Sequence, residues 1–511
     1  MVLRFYNTLT RMKEEFKPIH DKEVRIYSCG PTVYDYPHIG NLRAFAFYDL
    51  LRRYLKYKGY KVKHVMNITD VDDKTIRNSR KEGVTLSQFT EKYTKIFFED
   101  IEKIGIEKFE FYPKATEHIK EMVEMIKTLL AKGFAYRGTD GSIYFNIRKF
   151  PEYGKLSKID LSSLKDGARV SQDEYSKEEA KDFALWKAWT PEDGEVYWET
   201  EIGKGRPGWH IECSVMSTKY LGKTFDIHTG GVDLIFPHHE NEIAQSQAAN
   251  GVAPVRFWLH NEHVMVEGQK MSKSLGNYLT LNDLLKRGHD PRAIRYALIS
   301  THYRSKLNIT DKSIWAAQQT LEKIDNFIDR LKEVKVTKKS PEISKLVSKV
   351  EKEFEEAMDD DLDIVKALAK IFDFIKNVNK LLDEGKIGKE SAKKCIRVME
   401  KFDKVLGILK KEKGPSKELL EKVFVLLVEW HEDIKEKDEN SAKKFENLLS
   451  KLRGKEYDPK NFEKIMKTIT EIREVLRKKK EYSLSDKIRA DLREIGILLE
   501  DEAKGARWRI L

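Results

Sequence analysis

Ile26-Tyr27-Ser28-Cys29-Gly30-Pro31-Thr32-Val33-Tyr34-Asp35-Tyr36-Pro37-His38-Ile39-Gly40-Asn41 is the stretch on which the fold turns. Val24 to Ser28 is a short apolar run of strand character, Gly30 and Pro31 end it, and Leu42 to Tyr57 carries helical periodicity up to Gly59. Strand, loop and helix together make the first unit of a parallel, Rossmann-like α/β fold. His38 to Asn41 falls at the helix entrance, where unpaired backbone N–H groups and the helix dipole favour an anion such as a nucleotide phosphate. Cys29 places a potential metal ligand just ahead of that turn.

Outward from this unit, Tyr60 to Met66 continues the sheet and ends in Asn67-Ile68-Thr69-Asp70-Val71-Asp72-Asp73-Lys74. Ligands bind at such strand ends in open parallel sheets, and Asp70 or Asp72 can equally cap the next helix. Amphipathic helices are predicted over Thr85 to Tyr112 and Thr116 to Gly133, followed by short strands and polar loops. Met1 to Glu23 reads as a short entry segment. The expected divisions are a first catalytic half at 1–112, a connective insertion at 113–200 and a second half at 201–268.

Residues 269–318 contain Gln269-Lys270-Met271-Ser272-Lys273-Ser274-Leu275-Gly276-Asn277, a Gly/Ser/Lys stretch suited to clamping phosphate. Apolar stripes through Leu321, Ile324, Phe327, Ile328 and Leu331, and through Cys395, Val398, Met399, Phe402, Val405 and Leu406, predict an α-helical bundle at 319–411. Residues 412–511 read as a small mixed module of extra helices with a strand-like end carrying Arg507-Trp508-Arg509.

Three cysteines in 511 residues exclude a disulfide-built scaffold. Without a secretory leader or an apolar run long enough to cross a bilayer, the expected compartment is the cytoplasm. The excess of 95 Lys+Arg over 84 Asp+Glu, a net charge of +11, is consistent with a polyanionic partner and equally with surface ion-pair networks.

His210, His228, His238 and His239 gather in the second half. His238 and Glu242 are four apart, so on a helix they share a face and could share an ion. Cys29 and Cys213 would complete a tetrahedral zinc site of two thiolates, one imidazole and one carboxylate joining the two halves. Spacing alone leaves open two buried cysteines beside a His/Glu ion pair. His239 faces about a hundred degrees away from His238 and is expected to have no such partner. Cys395, on an apolar helical stripe, reads as core.

The turn at His38 and the loop at Lys270 together resemble the His-Ile-Gly-His and Lys-Met-Ser-Lys-Ser signatures of class I aminoacyl-tRNA synthetases. With Tyr6-Asn7-Thr8-Leu9-Thr10, Cys29 to Asp35, Gly208 to Cys213, Pro237 to Gln245 and the Arg507-Trp508-Arg509 tail, the chain resembles the cysteinyl-tRNA synthetases over nearly its whole length. The resemblance implies ATP-dependent activation of L-cysteine and transfer to the terminal ribose of tRNA(Cys), with one Zn²⁺ per chain and Mg²⁺ accompanying ATP. It implies catalytic roles for His38, Lys270 and Lys273, ATP contacts from His38, Gly40, Asn41, Lys270, Ser272 and Lys273, and a cysteine pocket of Cys29, Thr69, Trp209 and Asp233. The zinc ligands would be Cys29, Cys213, His238 and Glu242. tRNA contacts are expected from Arg477, Lys478, Arg507, Trp508 and Arg509, and the chain is expected to act as a monomer without a membrane. One departure is Asn41, where the signature has its second histidine. Two rival readings are a tRNA-independent cysteine ligase and a catalytically inactive zinc-containing RNA-binding protein.

Overall fold

The computed structural model describes residues 2–159, 169–170, 181–271, 276–410, 417–452, 459–502 and 505–510, in two compact units, Met1–Leu409 and Lys410–Leu511. Four parallel strands form the centre of the first unit in the spatial order Val255–Asn261, Phe225–Gly231, Glu23–Ser28, Lys61–Met66. Helices bury both faces of such a sheet, which is why Val24, Ile26, Tyr27, Val65 and Met66 form near-continuous apolar runs. The two sequence halves meet in mid-sheet, with Ile26, Tyr27 and Ser28 opposite Ile227, His228 and Thr229. Chain direction across the sheet reverses at this seam, so a crevice opens beyond the C-terminal ends of these two strands.

Helix Ile39–Tyr57 leaves the first strand through that crevice. His38 caps it: its Nδ1 accepts the Asn41 N–H at 3.1 Å, and Asn41 Oδ1 accepts the His38 N–H at 3.1 Å. Gly40 lets the capping ring lie flat against the helix, since a Cβ there would stand 2.9 Å from the imidazole.

Three expectations change in detail. The residues before Glu23 are a hairpin, Arg4–Asn7 with Met12–Glu15, whose Asn7 side chain donates to Arg256 O at 2.9 Å and accepts from Trp258 N at 3.1 Å, lacing it to the edge strand. The helix predicted over Thr85 to Tyr112 covers only Leu86–Lys103, because the chain turns at Gly105 (φ +70°) and then runs beside the sheet, with Met66 N donating to Phe111 O at 3.0 Å. The sheet of the insertion continues past residue 200: Gly205–Pro207 pairs antiparallel with Asp182–Ala188, which carries the chain directly into helix Trp209–Leu221.

The bundle consists of Asp311–Lys332, Pro341–Asp359, Ile364–Asp383 and Lys389–Leu406, and so starts inside the stretch assigned above to 269–318. Cys395 is fully buried in it, and burial pushes its thiol up to about 12. The second unit holds helices Lys417–Lys437, Glu439–Leu452, Pro459–Lys478 and Tyr482–Glu494 and the hairpin Ile497–Glu502 with Gly505–Ile510. Among the described residues, no helix is long and apolar enough to cross a membrane.

Candidate active site and metal centre

The crevice at the seam holds a cavity of about 420 Å³. Cys29, His38, Gly40, Asn41, Trp209, Asp233 and Lys270 all line it. Each stands there for a local reason. Cys29 follows the strand Glu23–Ser28, Trp209 opens its helix, Asp233 sits in the short 3₁₀ turn after Phe225–Gly231, and Lys270 ends the short strand Gln269–Lys270.

Beneath Cys29 lies a buried group of donors. Sγ of Cys29 and Cys213, a ring nitrogen of His238 and a carboxylate oxygen of Glu242 all lie within 4.8 Å of one another, and none of the four residues is more than 7% exposed. His238 and Glu242, one turn apart on helix His238–Asn250, place Nε2 3.0 Å from Oε1. That Nε2 is buried and faces Glu242 inside the cluster. His238 is oriented from behind, with its Nδ1 3.0 Å from His210 Nδ1 and its ring stacked on Trp209 at 4.1 Å between centroids. Two soft thiols, an imidazole nitrogen turned inward and a carboxylate are a donor set that fits zinc.

Charge in the cluster is arranged for a cation. Burial opposes ionisation of Cys213, but the hydrogen bond from Cys29 and the neighbouring His238 outweigh it and bring the thiol down to about 6. Burial and the adjacent Cys213 push Cys29 well above the ordinary thiol range, so the pair holds one proton between them. Burial likewise opposes the Glu242 carboxylate, yet His228 and His238 hold it at about 2. His238 rises to about 10 against its burial, through Cys213 and Glu242.

His239 overturns the expectation that it lacks a partner. Its Nε2 lies 3.2 Å from Cys29 Sγ and its Nδ1 2.7 Å from His260 Nε2, while His260 Nδ1 reaches Thr8 Oγ1 at 2.8 Å. The helical angle separates His239 from His238 on one helix, but Cys29 arrives from another element and meets both. His228, 2.9 Å from Glu242 Oε2, completes a second donor group of Cys29, His228, His239 and Glu242 that shares two ligands with the first. The crowding of histidines in sequence pointed to His228 and His239. Nothing local marked His260, which the neighbouring strand Val255–Asn261 brings in.

Thr69 does not line the cavity. It is 1% exposed, and its hydroxyl accepts from Asn67 Nδ2 at 3.0 Å and donates to Glu212 Oε2 at 2.9 Å. Ser272 and Lys273 lie outside the described residues, as do the side chains of Arg507 and Arg509. Arg477 and Lys478 are exposed in the last turn of helix Pro459–Lys478. Trp508 is half-buried, edge-on to Phe462 at 5.3 Å, and so helps close the core of its own unit.

Residues 15–319 match the family described as tRNA synthetases class I (C) catalytic domain, and residues 353–410 match the DALR domain. The chain therefore belongs to the class I aminoacyl-tRNA synthetases. It is 45% identical over 510 residues to the cysteine–tRNA ligase of Koribacter versatilis, covering 100% of both chains. It is 44% identical over 517 residues to that of Thermococcus gammatolerans, covering 100% of this chain and 99% of the relative. Within its class it is a member of the cysteine–tRNA ligase family. Among solved structures, Mycobacterium tuberculosis methionyl-tRNA synthetase in complex with methionyl-adenylate matches with a TM-score of 0.55 at 15% identity, covering 87% of this chain and 96% of that one. The Agrobacterium radiobacter LeuRS-tRNA-LeuAMS ternary complex matches with a TM-score of 0.55 at 14% identity, covering 76% and 85%. These two likenesses establish the shared fold.

Proposed function

We propose that Cys29, Cys213, His238 and Glu242 hold one zinc ion at the floor of the cavity, and that this ion is how the chain selects L-cysteine for attachment to tRNA(Cys). Family membership carries the reaction itself: the enzyme charges tRNA with cysteine at the expense of ATP, releasing AMP and pyrophosphate. The buried donor set supports the zinc. When bound, zinc supplies a soft position that a thiolate occupies well and a serine hydroxyl occupies poorly. A purely apolar pocket separates such near-isosteres by only about 1–3 kcal/mol.

The chain's own residues then have separate tasks. Trp209 stacks on His238 and walls the cysteine side of the cavity. The exposed carboxylate of Asp233 faces the same space and takes the α-amino group. His38, Gly40 and Asn41 present the helix entrance to the ATP phosphates. Capping ties up Asn41 Oδ1, so this side chain has its amide N–H left to offer a ligand. Lys270 meets developing charge on the phosphates, with Lys273 and Ser272 of the same loop and Mg²⁺ as further contributors. Little covalent chemistry is asked of these groups; they hold the carboxylate in line with the α-phosphate. Arg477, Lys478, Arg507, Trp508 and Arg509 contact the tRNA in the second unit, Trp508 by stacking on an unpaired base, and the chain acts as a monomer.

Zinc content and amino-acid preference test this together. The purified chain is expected to carry one zinc and to support ATP/pyrophosphate exchange with cysteine but not serine, and to charge tRNA(Cys). A zinc-free chain that still prefers cysteine defeats the proposal. Exchange without tRNA charging would favour the tRNA-independent ligase.

A further inference from the structure

Between the two proposed thiolate ligands runs a buried hydrogen-bond chain that touches neither sulfur. The Gly30 N–H donates to Asn67 Oδ1 at 2.9 Å, Asn67 Nδ2 donates to Thr69 Oγ1 at 3.0 Å, and the Thr69 hydroxyl donates to Glu212 Oε2 at 2.9 Å. Asn67, Thr69 and Glu212 are each at most 2% exposed. The chain begins one residue after Cys29 and ends one residue before Cys213, joining the end of one strand, the end of its neighbour and the first turn of helix Trp209–Leu221.

Its polarity is set from the Gly30 end. A backbone N–H can only donate, so Asn67 must turn its carbonyl to Gly30 and its amino group to Thr69. The Thr69 oxygen then accepts, and its one proton goes to Glu212. Backbone packing seconds this arrangement: a Cβ on Gly30 would lie 1.8 Å from Asn67 O, and Thr69 N donates to Pro31 O at 3.1 Å while Val33 N donates to Thr69 O at 3.2 Å. The loop after Cys29 is thus clamped to the same residue that grips the turn before Cys213.

We infer that Asn67, Thr69 and Glu212 form a positioning relay that sets the spacing of the Cys29 and Cys213 sulfurs from behind the metal site. The inference rests on the zinc reading above. Groups behind metal ligands commonly change affinity about 10- to 100-fold when removed. Thr69→Val keeps the shape but deletes both side-chain hydrogen bonds, whereas Thr69→Ser keeps them.

The test measures zinc affinity by competition with a chromophoric chelator, together with the thiolate-to-metal absorption of Co²⁺-substituted protein, on chains shown to be folded by circular dichroism. Thr69→Val is expected to weaken zinc about 10- to 100-fold and shift the Co²⁺ band, with Thr69→Ser within about threefold of wild type. Glu212→Leu against Glu212→Gln repeats the comparison from the other end, should Thr69→Val not fold. Equal zinc affinity and an unshifted band in Thr69→Val and Thr69→Ser, or in both Glu212 variants, overturn the relay. A wild-type chain that takes up no zinc overturns the metal reading itself.

Discussion

At the floor of the cavity every donor is buried and braced by a neighbour, whereas at its mouth His38 and Asn41 are half-buried and Lys270 is exposed. The floor draws on both sequence halves and on the strand Val255–Asn261 behind them; the mouth is one capped helix end and one short strand. The contrast follows from the two tasks. Telling a thiol from a hydroxyl requires ligands whose positions cannot relax, because a loose site would accommodate either. Stabilising phosphate charge requires donors that can reach a solvated, multiply charged group, and long cationic side chains do this from the rim.

Cutting the floor is the most severe way to test the contrast. Cys213→Ser is expected to lose zinc and to lower cysteine-dependent exchange on the order of 1000-fold, about 4 kcal/mol, since it breaks a buried charge cluster. Cys395→Ser should leave both unchanged, and zinc analysis with exchange assays on the two variants decides. The floor should also respond steeply to pH. Cys29, raised by burial and Cys213, and His238, raised to about 10, both carry protons at neutral pH that zinc must displace. Zinc affinity is therefore expected to climb about 100-fold per pH unit between pH 6 and 9 and more steeply below 6, where Cys213 also protonates. In the zinc-free fold the shifts oppose each other: the depressed Cys213 thiol contributes stability that is lost as pH falls through about 6, whereas the raised His238 contributes stability that is lost as pH rises through about 10. Chelator competition across pH checks this, and a flat profile would contradict the charge assignment.

Changes at the mouth should leave the floor intact. Lys270→Ala is expected to lower the exchange rate about 100-fold with zinc content and cysteine binding unchanged, read from exchange kinetics and isothermal titration with cysteine. Smallest of all, Trp508→Ala should raise the KM for tRNA about tenfold without altering exchange. Because Trp508 also packs on Phe462, its unfolding transition must be followed alongside.

Much of the fold was legible because its signals are local. Periodicity and breakers marked the strands Glu23–Ser28 and Lys61–Met66, the helix between them and the bundle stripes. The helix predicted to Tyr112 overran because residues beyond Gly105 keep apolar content for a different purpose, packing against the sheet edge as extended chain. The opening hairpin was missed since its strands have only four residues each and owe their shape to Asn7 and the edge strand. Cys29, Cys213, His238 and Glu242 could be chosen by donor chemistry and helical spacing, and they do converge. His239 was set aside by that same spacing argument, which considers one helix and not the element facing it.

By itself the sequence determined the parallel α/β core, the two signature turns, the helical bundle and the kind of atoms available to bind a metal, because strand and helix patterns and donor chemistry are properties of neighbouring residues. Only the tertiary structure decided that Cys29 meets His239, that His260 and Thr8 stand behind it, and that Thr69 faces Glu212 instead of the cavity. The Cys29–His239, Thr8–His260 and Thr69–Glu212 contacts join residues 143 to 252 positions apart, and their partners are chosen by where the strands of the sheet place their ends.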